Sequence, residues 1–171
     1  MIAPMLLQRR RLVLFAAPAL LSACGFRLRG TPNFSFSTIQ VSGADNSAFV
    51  NELRQSIASG SNVTVLPAGT PPDRVQVVLE VLTDQREKVV VGLSASGQVR
   101  EFQLRTRVRF RLRTPQGKEL IAETELLQQR DISYNESAAL SKEAEEGLLY
   151  RDMQTDIVQQ LLRRLAAIKS L

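Results

Sequence analysis

One twelve-residue stretch constrains the fold more than any other part of the chain. From Phe102 onward, alternate positions are apolar or neutral, at Phe102, Leu104, Thr106, Val108, Phe110 and Leu112. The intervening positions are Gln103 followed by five arginines, at Arg105, Arg107, Arg109, Arg111 and Arg113. Successive side chains of a β-strand point to opposite faces, whereas a helix would spread the arginines all round. The stretch therefore predicts a half-buried strand with a core-facing apolar side and an outward cationic side.

The segment after the arginine strand has the pattern of a hairpin partner, running from Glu119 to about Arg130. The loop Pro115-Gln116-Gly117, with Gly117 at positive φ, belongs to a common hairpin class and sets the register. This register pairs Leu112 with Leu120, Phe110 with Ala122, Arg113 with Glu119, Arg109 with Glu123 and Arg107 with Glu125. Such cross-strand ion pairs contribute roughly 0.2–1 kcal/mol each and need no ligand. Arg111 and Arg105 then face Ile121 and Leu127, so they remain candidates for binding an anionic ligand.

Other segments supply the rest of an α+β pattern. A strand over 37–42 precedes a helix over about 47–58, and a long strand covers 74–91. The stretch 62–66 is either a short strand or an extended link. The last helix is predicted from Ser137 to about Lys169. Its apolar stripe, assigned to the core, comprises Leu140, Ala144, Leu148, Met153, Ile157, Leu161, Leu162, Leu165 and Ile168.

Composition excludes several classes of active site. The 171 residues contain no His and a single Cys, so histidine-based triads, Cys-His nucleophiles and an internal disulfide are excluded. The net charge of +5 depends partly on the first 23 residues, which hold Arg9, Arg10 and Arg11 and no acid. Without them 19 basic residues face 17 acidic ones, so the charge gives little reason to expect a nucleic-acid partner.

The N-terminus has the pattern of a lipoprotein leader. A basic start precedes ten uncharged residues, Leu12 to Leu21, which are too few to span a membrane. The string Leu21-Ser22-Ala23-Cys24-Gly25 resembles the bacterial lipobox, although an ordinary signal peptide with a chance cysteine is the alternative. We expect a signal peptide over 1–23, lipidation at Cys24, a tether over 24–36 and one α+β domain over 37–171. Gly25 in place of an acidic residue implies sorting to the outer membrane.

Several strings taken together resemble one family. They are Cys24-Gly25-Phe26-Arg27-Leu28-Arg29-Gly30, Ala139-Leu140-Ser141-Lys142-Glu143-Ala144-Glu145-Glu146, Asp152-Met153 and Gln160-Leu161-Leu162-Arg163-Arg164-Leu165. With the order strand, helix, strands and helix, they resemble the LptE family of lipopolysaccharide-assembly lipoproteins. The resemblance implies an α+β two-layer sandwich, with two helices packed on one face of a four-stranded, mainly antiparallel sheet.

The resemblance also implies a function without enzymatic activity or a cofactor. Family members sit inside the outer-membrane barrel LptD, support its assembly and bind lipopolysaccharide for delivery to the outer leaflet. The family's lysine in the last helix matches Lys142, whereas a basic position before the third strand corresponds to about Ala95, for which Arg100 can substitute. The lipopolysaccharide-binding candidates are Lys142, Arg100, Arg105, Arg107, Arg109 and Arg111. Implied partners are LptD, lipopolysaccharide and, through the lipid, the outer membrane, with no nucleic acid.

Two alternatives stay open at this point. The first is an accessory lipoprotein of another outer-membrane machine, such as the barrel-assembly complex. The second is a lipid-anchored periplasmic hydrolase using acids such as Asp84, Glu101 and Asp131. No paired-carboxylate or metal-ligand spacing accompanies those acids, and no His is present to act as a base, so the hydrolase is the weaker alternative.

Overall fold

A five-stranded sheet and two helices make up the part of the chain that the computed structural model describes, residues 33–171. The strands are β1 (Thr38–Ser42), β2 (Thr64–Leu66), β3 (Val77–Leu93), β4 (Val99–Arg113) and β5 (Glu119–Ser133). The helices are α1 (Ala48–Gly60) and α2 (Ala139–Ala166). The predicted signal peptide over 1–23, the lipidated Cys24 and the tether up to residue 32 lie outside the described residues.

The sheet is mixed, with strand order β2-β1-β3-β4-β5. β1 runs parallel to both β2 and β3, whereas β3, β4 and β5 form an antiparallel meander. Both helices contribute to one core cluster with the same sheet face, which confirms the α+β two-layer arrangement. The predicted count of four strands is wrong. The stretch 62–66 forms the fifth strand, because α1 carries the chain back so that Thr64 can pair in parallel with Thr38.

The arginine strand has the two faces that its alternation predicts. Leu104, Val108, Phe110 and Leu112 of β4 are fully buried beneath the helices. The arginines of the same strand are on the opposite face, with side chains between about a third and a half exposed where they form ion pairs. We call the outward side chains of Arg105, Arg107, Arg109, Arg111 and Arg113 the arginine face.

The hairpin loop is as predicted, but the register beyond it is not. Gly117 has φ of 92°, and the Thr114 amide donates to the Lys118 carbonyl at 2.8 Å across the loop. Arg113 pairs with Glu119, as expected. The other predicted pairs are shifted, since Leu112 lies opposite Ile121, Phe110 opposite Thr124, Arg109 opposite Glu125, Arg107 opposite Leu127 and Arg105 opposite Gln129. Two irregularities between Glu119 and Thr124 each add one unpaired residue to β5. A register predicted from strict alternation does not allow for such extra residues.

A second bulge changes the face of β3. The pairing with β4 shifts between Val81 and Thr83, leaving Leu82 as the extra residue. Beyond it Asp84 lies opposite Val108, and Lys88 opposite Leu104. Residues directly opposite share a face, so polar side chains of β3 come to the helix side of the sheet. The far half of the sheet therefore meets α2 with a partly polar surface.

The predicted stripe of α2 is right in its second half and wrong in its first. The buried residues are Tyr150, Met153, Gln154, Ile157, Val158, Leu161, Leu162 and Leu165. Leu140 is 85% exposed and Leu148 is 54% exposed. Met153 lies five positions after Leu148, which is about 140° round a helix, so one stripe cannot include both. Within residues 33–171 no helix is long and apolar enough to cross a membrane.

Candidate functional site

The arginine face is organised around one carboxylate of β3. Glu80 accepts hydrogen bonds from Arg113 through Nε at 2.9 Å and Nη2 at 2.7 Å, and a further one from Arg111 Nε. The Arg113 hydrogen bond, helped by that of Arg111, holds the pKa of Glu80 below its ordinary value despite the opposing effect of burial. Arg111 therefore has an acidic partner, which hairpin reasoning missed because the partner lies on the other neighbouring strand.

The next two arginines form the ion pairs that the sequence predicts, although not with the residues directly opposite. Arg109 Nη1 lies 3.0 Å from Glu123, while its other guanidinium nitrogens donate to the Thr83 hydroxyl. Arg107 lies 3.6 Å from Glu125. Both contacts are diagonal across the shifted register, within reach of such long side chains.

Arg105 is different from the other members of the arginine face. Its Nε donates to the Gln103 side chain at 2.8 Å, and within residues 33–171 it has no carboxylate partner. Arg100 likewise makes no side-chain hydrogen bond or ion pair to any other described residue. Among the predicted lipopolysaccharide-binding residues, these two guanidinium groups are the ones that an external anion can approach without displacing a carboxylate.

Lys142 lies elsewhere, in a cleft on the helix side of the sheet. The cleft has a volume of about 580 Å³ and opens between the first turns of α2 and the far ends of β3, β4 and β5. We call it the end cleft. Its lining residues are Lys88, Phe102, Ile132, Ser133, Tyr134, Ala139, Lys142, Glu143, Glu146, Gly147 and Tyr150. The predicted site residues thus divide between two surfaces on opposite sides of the sheet.

Two lysines of the end cleft are held by exposed ion pairs. Lys142 Nζ lies 2.8 Å from Glu145 and 3.1 Å from the Ser133 hydroxyl. Lys88 Nζ lies 2.6 Å from Glu146 and 4.3 Å from the centroid of the Phe102 ring. Exposed pairs of this kind are weak, so a ligand oxyanion can replace the carboxylate. No sequence pattern indicates Lys88, because its side chain reaches the cleft only through the bulge at Leu82.

A polar bridge separates the end cleft from the main core. Arg86 donates to Gln154 at 2.6 Å, and Gln154 donates to Glu52 of α1 at 2.6 Å. The Tyr150 hydroxyl donates to the Glu87 carbonyl at 2.8 Å. Burial, together with the Glu146 carboxylate, raises the pKa of Tyr150, so its hydroxyl stays protonated and can donate. The bridge ties β3, α1 and α2 together at the inner end of the cleft.

Two of the acids considered for a hydrolase, Asp84 and Asp131, lie on opposite sides of the sheet. Asp84 accepts a hydrogen bond from Ser47 at 2.7 Å on the helix side of the sheet. Asp131 accepts one from Gln103 at 2.9 Å and lies opposite it, on the other side. Across residues 33–171 no three or more Asp, Glu or Cys side chains are grouped closely enough to hold a metal ion.

This fold, with two helices on one face of a mixed sheet, is shared by small α+β lipoproteins. The lipoprotein B of Nitrosomonas europaea superposes with a TM-score of 0.72 at 31% identity, covering 84% of this chain and 91% of that one. The LPS-assembly lipoproteins LptE of Photorhabdus laumondii and Pectobacterium atrosepticum are 26% and 28% identical over 160 residues, which is 92% of this chain and 85% and 84% of theirs. The sequence profile described as LptE, lipopolysaccharide-assembly, matches residues 36–165. The chain belongs to the LptE family, as its sequence motifs predict.

The Glu80 cluster gives a pH-dependent prediction. Glu80→Gln should lower the free energy of unfolding at neutral pH by about 1–3 kcal/mol, because two guanidinium groups lose their charged acceptor. Since the pKa of Glu80 is lowered by folding, this stabilisation is fully present above its ordinary value of 4.5 and is lost as the pH falls through the folded value. Urea denaturation at pH 7 and in acid measures the difference between wild type and variant.

The matched control is Glu123→Gln, whose ion pair is exposed and should cost at most about 1 kcal/mol. A Glu80→Gln difference that is the same in acid as at neutral pH would contradict the assignment.

Proposed function

We propose that this chain is an outer-membrane lipoprotein, anchored on the periplasmic side through acylated Cys24, that plugs the LptD barrel, supports its assembly and binds lipopolysaccharide for delivery to the outer leaflet. In this proposal 1–23 is the signal peptide and 24–36 the lipidated tether, and the protein performs no enzymatic reaction. Membership of the LptE family supports the role in lipopolysaccharide assembly. The observation that carries the proposal is the joint presence of an exposed apolar end and of cations open to phosphate.

The exposed apolar end supports a protein partner. Val90, Val91, Leu93, Leu140 and Leu148 are all substantially exposed, and Leu93 reaches 63%. They belong to the β3–β4 hairpin and the first turns of α2, the same segments that line the end cleft. Apolar groups concentrated at one end of a monomer usually mark a surface that another protein covers. A barrel that encloses this end would remove those side chains from water.

The free cations support a phosphorylated ligand. Lipid A carries phosphates, and guanidinium and ammonium groups form short, charge-assisted hydrogen bonds with phosphate oxygens. Lys142 has only a weak, exposed pair to give up, and Arg105 and Arg100 have no carboxylate to give up. Arg107, Arg109 and Arg111 bind glutamates of β3 and β5, so their use by a ligand costs an existing ion pair. Within the proposed set, Lys142, Arg105 and Arg100 therefore contribute most.

Recovery of the barrel tests the partner. The double variant Leu93→Ser, Leu140→Ser should reduce the LptD recovered from detergent-solubilised membranes by about tenfold, because two apolar anchors become polar. The matched control is Leu127→Ser, Leu171→Ser, which changes two exposed leucines away from this end. Equal recovery with both double variants, or recovery of the barrel-assembly complex in place of LptD, would contradict the proposal.

Retention on immobilised lipopolysaccharide tests the ligand. Arg105→Ala combined with Lys142→Ala should weaken binding by about tenfold, because two phosphate contacts are lost while neither residue is in the core. Arg163→Ala combined with Lys169→Ala removes the same charge from the far end of α2 and should leave retention unchanged. Far-UV circular dichroism checks that both variants are folded. Unchanged retention by the folded test variant would reject the site.

A further inference from the structure

We propose that the end cleft is an acyl-chain site, which takes one hydrocarbon chain of an anionic amphiphile and meets its head group with Lys88 and Lys142. The inference rests on the proposed lipopolysaccharide role and adds the part of the ligand that enters the protein. The volume of the end cleft, about 580 Å³, is within the range of small-ligand sites.

Part of the cleft wall is aromatic and apolar. Phe102 and Tyr134 meet edge to face with ring centroids 5.3 Å apart. Ile132 and Tyr150 belong to a small core cluster of their own with Leu104 and Met153, separate from the main core. Phe102 packs against this buried cluster, so Phe102 and Tyr134 present partly exposed aromatic surface to the cleft. An aliphatic chain placed on this surface leaves water without needing polar partners.

Five polar side chains that line the cleft, those of Lys88, Ser133, Lys142, Glu146 and Tyr150, are engaged within the protein. The Tyr150 hydroxyl donates to the Glu87 carbonyl, and the Ser133 hydroxyl accepts from Lys142. Glu146 accepts from Lys88. A ligand group rich in hydroxyls, such as a sugar, would compete with these bonds, whereas a hydrocarbon chain leaves them intact. The lining therefore favours the acyl part of an amphiphile over its saccharide part.

The two lysines place the charged end of the ligand. Lys88 comes from β3 and Lys142 from α2, so the cleft has a cation on each of these two elements. The Lys88 ammonium is held over the face of Phe102, which is itself part of the apolar wall. An anionic head group that replaces Glu146 or Glu145 on these lysines leaves its chain directed along the wall. Glu143 also lines the cleft and is exposed, which disfavours a second anionic group in the interior.

Gly147 provides a sharp test of the site. It lines the cleft on α2, and a Cβ added to it would meet no atom within 4 Å. A leucine side chain at this position, on the α2 face that lines the cleft, therefore meets no clash at its first carbon. Gly147→Ala adds one methyl group and only improves helix propensity, so it is the matched control. Ala139→Leu fills the cleft from the first turn of α2 and serves as a second blocking variant.

The experiment measures binding of the fluorescent fatty acid cis-parinaric acid to the mature chain carrying Cys24→Ser, so that neither detergent nor the chain's own lipid competes. The unblocked chain and Gly147→Ala should bind it similarly. Gly147→Leu and Ala139→Leu should each weaken binding by about tenfold or more, because methylenes are excluded from the cleft. Deacylated lipopolysaccharide, which retains its phosphates, should bind all four proteins equally.

Three results would overturn the acyl-chain site: no parinarate binding by the unblocked chain, unchanged binding by both folded leucine variants, or equal weakening by Gly147→Ala. None of them touches the proposed function, which stands on recovery of LptD and retention on intact lipopolysaccharide. Conversely, parinarate binding that is lost in the leucine variants supports the cleft even if no barrel is recovered.

Discussion

The structure depends on the burial of one row of side chains along β4. Leu104, Val108, Phe110 and Leu112 are fully buried, and each contributes about 1.5–3 kcal/mol by leaving water. Because side chains alternate along a strand, this burial alone turns the arginines outward. A slip of one residue would place guanidinium groups under α2, where desolvation of an unpaired charge costs far more than the row contributes. The apolar row therefore fixes both the fold and the side on which the cations lie.

The bulge at Leu82 separates the half of β3 that packs in the main core from the half that lines the end cleft. Before it, β3 adds Val77 and Leu79 to the main core. After it, polar side chains face α2, and the Arg86–Gln154–Glu52 bridge replaces apolar packing. On the far side of the bridge, the first turns of α2 lie over a part of the sheet that they cover incompletely. The end cleft and the exposed apolar end both follow from this change of face, which is why the two lie next to each other.

Much of this arrangement follows from local pattern. The two faces of β4, the loop at Gly117 and the buried second half of α2 all follow from period and turn chemistry. The ion pairs of Arg107 and Arg109 were also predictable, because long side chains tolerate a shifted register.

Other features depend on interactions that are distant in sequence. β2 has three residues and exists only through its parallel pairing with β1. The β5 irregularities and the β3 bulge are set by packing, so neither the shifted register nor the place of Lys88 could be derived from alternation. Lys142 was reached through family resemblance alone. The exposure of Leu148, by contrast, could have been read from the sequence, because Leu148 lies about 140° from Met153 round the helix.

Amide hydrogen exchange across the whole chain tests the central role of β4 most directly. If its buried row holds the domain together, amides from Leu104 to Leu112 should exchange only on global unfolding, together with those of the buried second half of α2. The first turns of α2, from Ala139 to Gly147, should exchange far sooner, since they lie over an open cleft. Exchange from β4 that is as fast as exchange from those first turns would contradict the account.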